Sequence, residues 1–86
     1  MKSLYELIKK EHDIVEEIRK DEYAAYCYTR DIEWCEDFKP DCNEKAKMIA
    51  KFESYIRDTE LAIENSKTEL KWIRWEIKRY FEELNE

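Results

Sequence analysis

The stretch that decides the fold is the C-terminal half of the chain, where residues 42–84 are CNEKAKMIAKFESYIRDTELAIENSKTELKWIRWEIKRYFEEL. Its large apolar residues recur at alternating intervals of three and four, and they are Ile49, Phe52, Ile56, Ile63, Leu70, Ile73, Ile77, Tyr80 and Leu84. Two small polar residues, Thr59 and Ser66, fill the gaps in this series. A repeat longer than three or four heptads, without Gly or Pro, predicts a coiled-coil helix. We expect it to cover about 42–85 and to be roughly 65 Å long at 1.5 Å per residue.

The composition points in the same direction. Charged residues make up 44% of the 86 positions, Gly is absent and Pro occurs once, which is typical of long helices rather than of a sheet. A single short chain folded as an elongated hairpin buries little apolar surface. We therefore expect self-association, as a homodimer or higher oligomer, or a protein partner.

The formal charge of −6 restricts the class of partner. Phosphate backbones repel an acidic surface, so direct binding to nucleic acid is disfavoured, whereas a basic partner protein is favoured. Three cysteines and the lack of a signal-peptide pattern favour a reducing, cytoplasmic setting. No apolar run reaches the roughly 18 residues of a membrane-spanning helix, so no membrane association is expected.

The N-terminal arm has its own helical signals. Ser3 followed by Glu6 matches a capping box, which predicts a helix from Leu4. The polar residues 19–22 interrupt its apolar face. The apolar series could continue through them, because Ala25 and Ile32 keep the spacing from Ile18, but we favour a break or kink there. The arm should cover about 4–38.

The turn between the two arms is predicted at 39–41. The residue before Pro40 is disfavoured in a helix, and Asp41 followed by Glu44 is a second capping signal. A turn this short forces the flanking helices to pack antiparallel. The expected fold class is therefore all-α, a single helical hairpin or coiled coil with one long C-terminal helix.

Two motifs carry a resemblance to a known family. The opening Ser3-Leu4-Tyr5-Glu6-Leu7, and the Glu44-Lys45-Ala46 that leads into the long helix, resemble the siphophage gene product 157 family. The resemblance implies a coiled-coil protein encoded by a phage or prophage of Gram-positive bacteria. It supplies no catalytic or binding residues to carry over. The Tyr-, Trp- and Cys-rich stretch 23–38 and the stop at Glu86 depart from the family pattern.

The first candidate binding surface is a second apolar stripe on the long helix, opposite the seam. A helix that is apolar on two sides must cover both. Either another helix packs on this stripe or it is offered to a partner, since Trp and Arg are common interface hot spots. The candidate residues are Leu61, Trp72, Trp75 and Arg79.

The second candidate surface interleaves aromatic rings and carboxylates in the N-terminal arm. Such a surface could imitate bases and phosphates in the basic channel of a nucleic-acid-binding protein, because those channels pair Lys/Arg with stacking platforms. The alternative is that the rings pack on the hairpin and the charges face water. The candidate residues are Tyr23, Tyr26, Asp31, Glu33, Trp34, Glu36 and Asp37.

Other chemistry is poorly represented in the sequence. Cys27, Cys35 and Cys42 lack the spacing of a zinc site, and we expect buried free thiols. A chain without Gly has no phosphate-binding loop, and a helical hairpin is expected to offer no concave pocket. We expect no catalytic residues, no metal and no cofactor.

Two functions follow as hypotheses. The first is a phage-encoded, non-enzymatic module that inhibits or modulates a host nucleic-acid-processing or defence complex, for example a CRISPR nuclease. The alternative is a homo-oligomeric coiled-coil scaffold or accessory protein of the phage replication or recombination module. In that case Trp72 and Trp75 would be buried between copies.

Overall fold

The protein is an antiparallel hairpin of two long helices, which confirms the expected all-α fold. A computed structural model describes residues 3–38 and 41–84; it contains helix α1, Leu4–Phe38, and helix α2, Asn43–Leu84. The direction follows from the contacts, because Glu11 lies beside Arg74 whereas Tyr28 packs on Phe52. The hairpin measures 67 × 15 × 15 Å, close to the length expected for the long helix.

A narrow apolar seam holds the two helices together. Its buried side chains alternate between them, and they are Leu7, Ile14 and Ile18 from α1 with Leu70 and Ile73 from α2. Half-buried Ile63 and Ile77 extend the seam along α2. The heptad series therefore forms the buried side of α2, as its spacing predicts, because positions three and four apart lie on one face of a helix. Because only two helices meet, most side chains keep one side in water.

The predicted break at residues 19–22 is wrong, since α1 continues through it without interruption. The seam explains the difference. Ile18 is buried before the polar gap, half-buried Asp21 occupies the next seam position, and Tyr28 stacks on Phe52 after it. Contacts with α2 on both sides of the gap thus support one continuous helix, and no Gly or Pro weakens it.

Both helix N-termini are capped, but the second cap is not the predicted one. The Oγ of Ser3 accepts the backbone N–H of Glu6 at 3.2 Å, as expected. At α2 the Sγ of Cys42, rather than Asp41, accepts the backbone N–H of Lys45 at 3.5 Å. The N-terminal N–H groups of a helix need such partners because they have none within the helix.

Lys45 ties the two helices together at the turn. Its ammonium donates to the carboxylate of Asp41 at 3.0 Å and to the backbone carbonyl of Glu36 at 3.2 Å. That carbonyl lies in the last turn of α1, which contains no basic residue of its own. Lys45 therefore supplies the positive charge that a helix C-terminus favours. Residues 39–40 of the predicted turn lie outside the described residues.

Neither α1 nor α2 combines the length and the apolar character of a membrane-crossing helix, as far as the described residues show.

Candidate protein-binding surfaces

The outer side of α2 presents two tryptophans to solvent. Trp72 is 62% exposed and Trp75 is 50% exposed. Their rings meet edge to face with centroids 6.2 Å apart, and the guanidinium of Arg79 lies 5.3 Å from the centroid of Trp75. Arg79 also pairs with Glu83 at 3.3 Å. The pair is thus held in one arrangement by its own contacts, which lowers the entropy that a partner must remove on binding.

The helical repeat explains why α1 leaves this side uncovered. Leu61, Thr68 and Trp75 are seven residues apart, and they lie midway between seam positions, on the side of α2 farthest from α1. All three are exposed. We call this surface the tryptophan face, and it consists of Leu61, Thr68, Trp72, Trp75 and Arg79.

The outer side of α1 presents a second aromatic surface near the turn. Tyr23, Tyr26 and Trp34 are all exposed. The rings of Tyr23 and Tyr26 lie 6.4 Å apart. The predicted carboxylates around them are exposed as well; together with the three rings they form the acidic aromatic surface, and they are Asp31, Glu33, Glu36 and Asp37.

A cation that the sequence interpretation missed belongs to this acidic aromatic surface. Arg30 donates a hydrogen bond to the hydroxyl of Tyr26 at 3.2 Å, and its guanidinium lies 6.0 Å from that ring's centroid. The hydrogen bond with Tyr26 raises the pKa of Arg30 above its ordinary value. Cys27 raises the pKa of Tyr23, first through a side-chain hydrogen bond and then through its charge. The signal available in sequence was the four-residue spacing of Tyr26 and Arg30.

The two surfaces do not form one site. Trp75 on α2 and Tyr23 on α1 lie on the sides of their helices that face away from the other helix, so the two surfaces point in different directions. Trp75 follows Arg74, which pairs with Glu11, and Tyr26 lies fifteen residues beyond Glu11 on α1. At 1.5 Å per residue this separates Trp75 from Tyr26 by about 20 Å along the hairpin. One partner must be large to touch both, or two partners must share the protein.

A groove beside the seam corrects the expectation that the hairpin has no concave feature. Its volume is about 550 Å³, and Val15, Ile18 and Leu70 line its floor. Lysine and arginine side chains from both helices form its rim. The sequence interpretation missed the groove, because its two walls come from different helices and meet only once their pairing is known.

The cysteines differ from one another more than expected. Cys35 is fully buried, as predicted, whereas Cys27 is half-buried and Cys42 is exposed at the turn. Cys42 is exposed because it is the cap of α2 rather than part of the seam. All three are free thiols. Within residues 3–38 and 41–84 no group of three or more His, Cys, Asp or Glu side chains is placed to hold a metal ion.

Comparison with known proteins identifies no relative of this chain. The resemblance of Ser3–Leu7 and Glu44–Ala46 to the siphophage gene product 157 family therefore stays a prediction. No protein-family model, curated protein or solved structure matches the chain.

Proposed function

We propose that this chain is a phage-encoded, non-enzymatic protein-binding module of the host cytoplasm. Its role would be to inhibit or modulate a nucleic-acid-processing or defence complex, for example a CRISPR nuclease. The observation that carries the binding role is the preassembled Trp72–Trp75 pair on the outer side of α2. Exposed aromatic patches of this kind in small proteins mark interaction sites, and Trp with Arg dominates interface hot spots.

The acidic aromatic surface supports the class of partner. Exposed rings at Tyr23, Tyr26 and Trp34 alternate with carboxylates on an acidic protein. A basic channel that stacks bases and pairs with phosphates offers complementary groups to both. Arg30 moderates the acidity next to Tyr26 without cancelling it. The phage setting is supported by the motif resemblance alone.

The test is complex formation with purified candidate enzymes. Host nucleases with basic nucleic-acid channels, a CRISPR effector nuclease among them, would be titrated with the protein while binding and DNA cleavage are measured. We expect a complex at micromolar concentration and slower cleavage. Replacing Trp72 and Trp75 by Ala should weaken binding by about 2 kcal/mol for each hot spot, or roughly 30-fold per residue.

The matched control is Tyr5→Ala, which removes an exposed ring on α1 that belongs to neither surface. It should leave both binding and cleavage unchanged. The absence of a complex with any candidate at micromolar concentration would refute the inhibitory role. Equal losses from the control and from the tryptophan variant would refute the assignment of the tryptophan face.

The second candidate function is the homo-oligomeric scaffold or accessory protein of a phage replication or recombination module. The specific observation in its favour is the small seam, since only six apolar residues among those described are buried, at 9% exposure or less. In this case Trp72 and Trp75 would lie between copies. Tryptophan emission from a buried environment in an oligomer would then favour the scaffold over the inhibitor.

A further inference from the structure

The groove beside the seam is basic, although the protein as a whole is acidic. Arg19 from α1 and Lys67, Lys71 and Arg74 from α2 form most of its rim, and Glu22 is the exception. Arg19 forms an ion pair with Glu16, and Arg74 forms one with Glu11. The ammonium groups of Lys67 and Lys71 contact no acidic side chain among the described residues. An apolar floor with unneutralised cations above it fits an acidic protein surface.

The same side of the hairpin becomes acidic toward the turn. In a coiled coil, residues separated by multiples of seven lie on one side. Glu60 and Glu53 precede Lys67 by seven and fourteen residues, and Glu36 follows Glu22 by fourteen. All three glutamates are exposed. One side of the molecule thus has a basic half over the groove and, apart from exposed Arg57, which precedes Lys71 by fourteen residues, an acidic half near the turn.

We propose that this side is the interface of an antiparallel homodimer, in which the groove of each copy covers the acidic half of the other. A two-fold axis makes every contact occur twice, so a surface with two complementary halves pairs with itself in the antiparallel direction. The parallel arrangement would place like charges together. The second copy is favoured as occupant because one chain carries both halves, and because an isolated hairpin of this size has a small core.

This dimer leaves the tryptophan face free but covers one edge of the acidic aromatic surface, because Glu36 belongs both to that surface and to the acidic half. Trp72 and Trp75 lie on the outer side of α2, away from the groove. Each dimer would therefore present two tryptophan faces to partners. The free tryptophan face also distinguishes this dimer from the scaffold alternative, in which the tryptophans themselves are buried between copies.

The test begins with the solution mass of the full chain under reducing conditions at low salt. We expect twice the chain mass of 10.7 kDa, with dissociation at high salt because the contacts are ionic. The double variant Lys67→Glu with Lys71→Glu should raise the dissociation constant of the dimer at least about tenfold. The double variant Glu53→Lys with Glu60→Lys should raise it to a similar extent. Mixing these two charge-reversed variants should restore a dimer that contains one copy of each.

The matched control is Lys9→Glu with Lys20→Glu, which reverses the same number of charges at exposed positions of α1 outside the groove. It should remain dimeric, as should the Ala variant of Trp72 and Trp75. The mixing experiment keeps the proposal testable even if a reversed variant is unfolded alone, since the hybrid should then regain helix signal in circular dichroism.

Three results would overturn the proposal. A wild-type monomer at all concentrations in low salt would exclude the dimer and leave the groove to an acidic segment of another protein. A failure of the two reversed variants to pair on mixing would exclude the antiparallel charge arrangement. A dimer that is lost with the tryptophans, yet survives charge reversal, would place the interface on the other side of α2.

Discussion

Replacing Ile73 by Ala should destabilise the hairpin more than any change on the outer faces. Ile73 is 3% exposed and lies in the seam with Leu7 and Ile14. The substitution removes three carbon atoms, worth about 2.4 kcal/mol at roughly 0.8 kcal/mol per buried methylene. Buried Ile→Ala changes cost about 2–5 kcal/mol in general. Because this seam is one layer thick and can relax toward solvent on either side, we expect the lower part of that range, about 2.5–3 kcal/mol.

The measurement is urea unfolding followed by far-ultraviolet circular dichroism, at several matched protein concentrations so that dimer dissociation is separated from unfolding. The midpoint should fall by about 1–3 M, since small proteins have slopes of about 1–3 kcal/mol per M. The melting temperature should fall by roughly 4–8 °C per kcal/mol. Leu61→Ala is the control, because Leu61 is 63% exposed and should change stability by less than about 0.5 kcal/mol. Similar losses from both variants would refute the assignment of the seam.

Three further predictions concern the turn, the thiols and the first cap. Lys45→Met removes the hydrogen bonds to Asp41 and to the Glu36 carbonyl and should cost about 1–2 kcal/mol in urea unfolding; an unchanged midpoint would contradict the role of Lys45. In the native protein iodoacetamide should label exposed Cys42 at least about tenfold faster than buried Cys35, as read by mass spectrometry, and equal rates would contradict the burial difference. Ser3→Ala should lower the free energy of unfolding by about 1 kcal/mol and speed amide exchange in the first turn of α1. Unchanged exchange would mean that the Ser3 cap does not stabilise this turn.

The long helix and the hairpin were predictable because a single strong signal determines both. The heptad series from Ile49 to Leu84 specifies a helix and a buried side, and Pro40 specifies where the chain turns. These signals are local in sequence, and the structure follows them with α2 at Asn43–Leu84.

The errors arose where tertiary contacts outweigh a local pattern. Residues 19–22 resemble a helix boundary in sequence, yet α1 continues through them because it contacts α2 on both sides of the gap. Asp41 is the better capping residue by type, but its carboxylate binds Lys45, and the backbone places Cys42 at the cap. Neither outcome can be deduced without the pairing of the two helices.

The candidate surfaces were predictable in part. The positions of Trp72 and Trp75 opposite the seam were predictable, but their exposure was not, because another helix could have packed on that side; α1 leaves them uncovered. The groove was not predictable, because Arg19 and Lys67 come together only in the register that the antiparallel seam imposes. Single-helix periodicity contains no information about that register.

The most direct test of the proposed binding role is the solvent exposure of the tryptophan face in the free protein. Tryptophan emission and acrylamide quenching would be recorded on a Trp34→Phe variant, so that only Trp72 and Trp75 report, while light scattering gives the mass of the same samples. We expect red-shifted, readily quenched emission from Trp72 and Trp75, in the dimer as well as in the monomer. Blue-shifted emission that is protected from acrylamide in an oligomer would contradict it, because the tryptophans would then bind another copy rather than a partner.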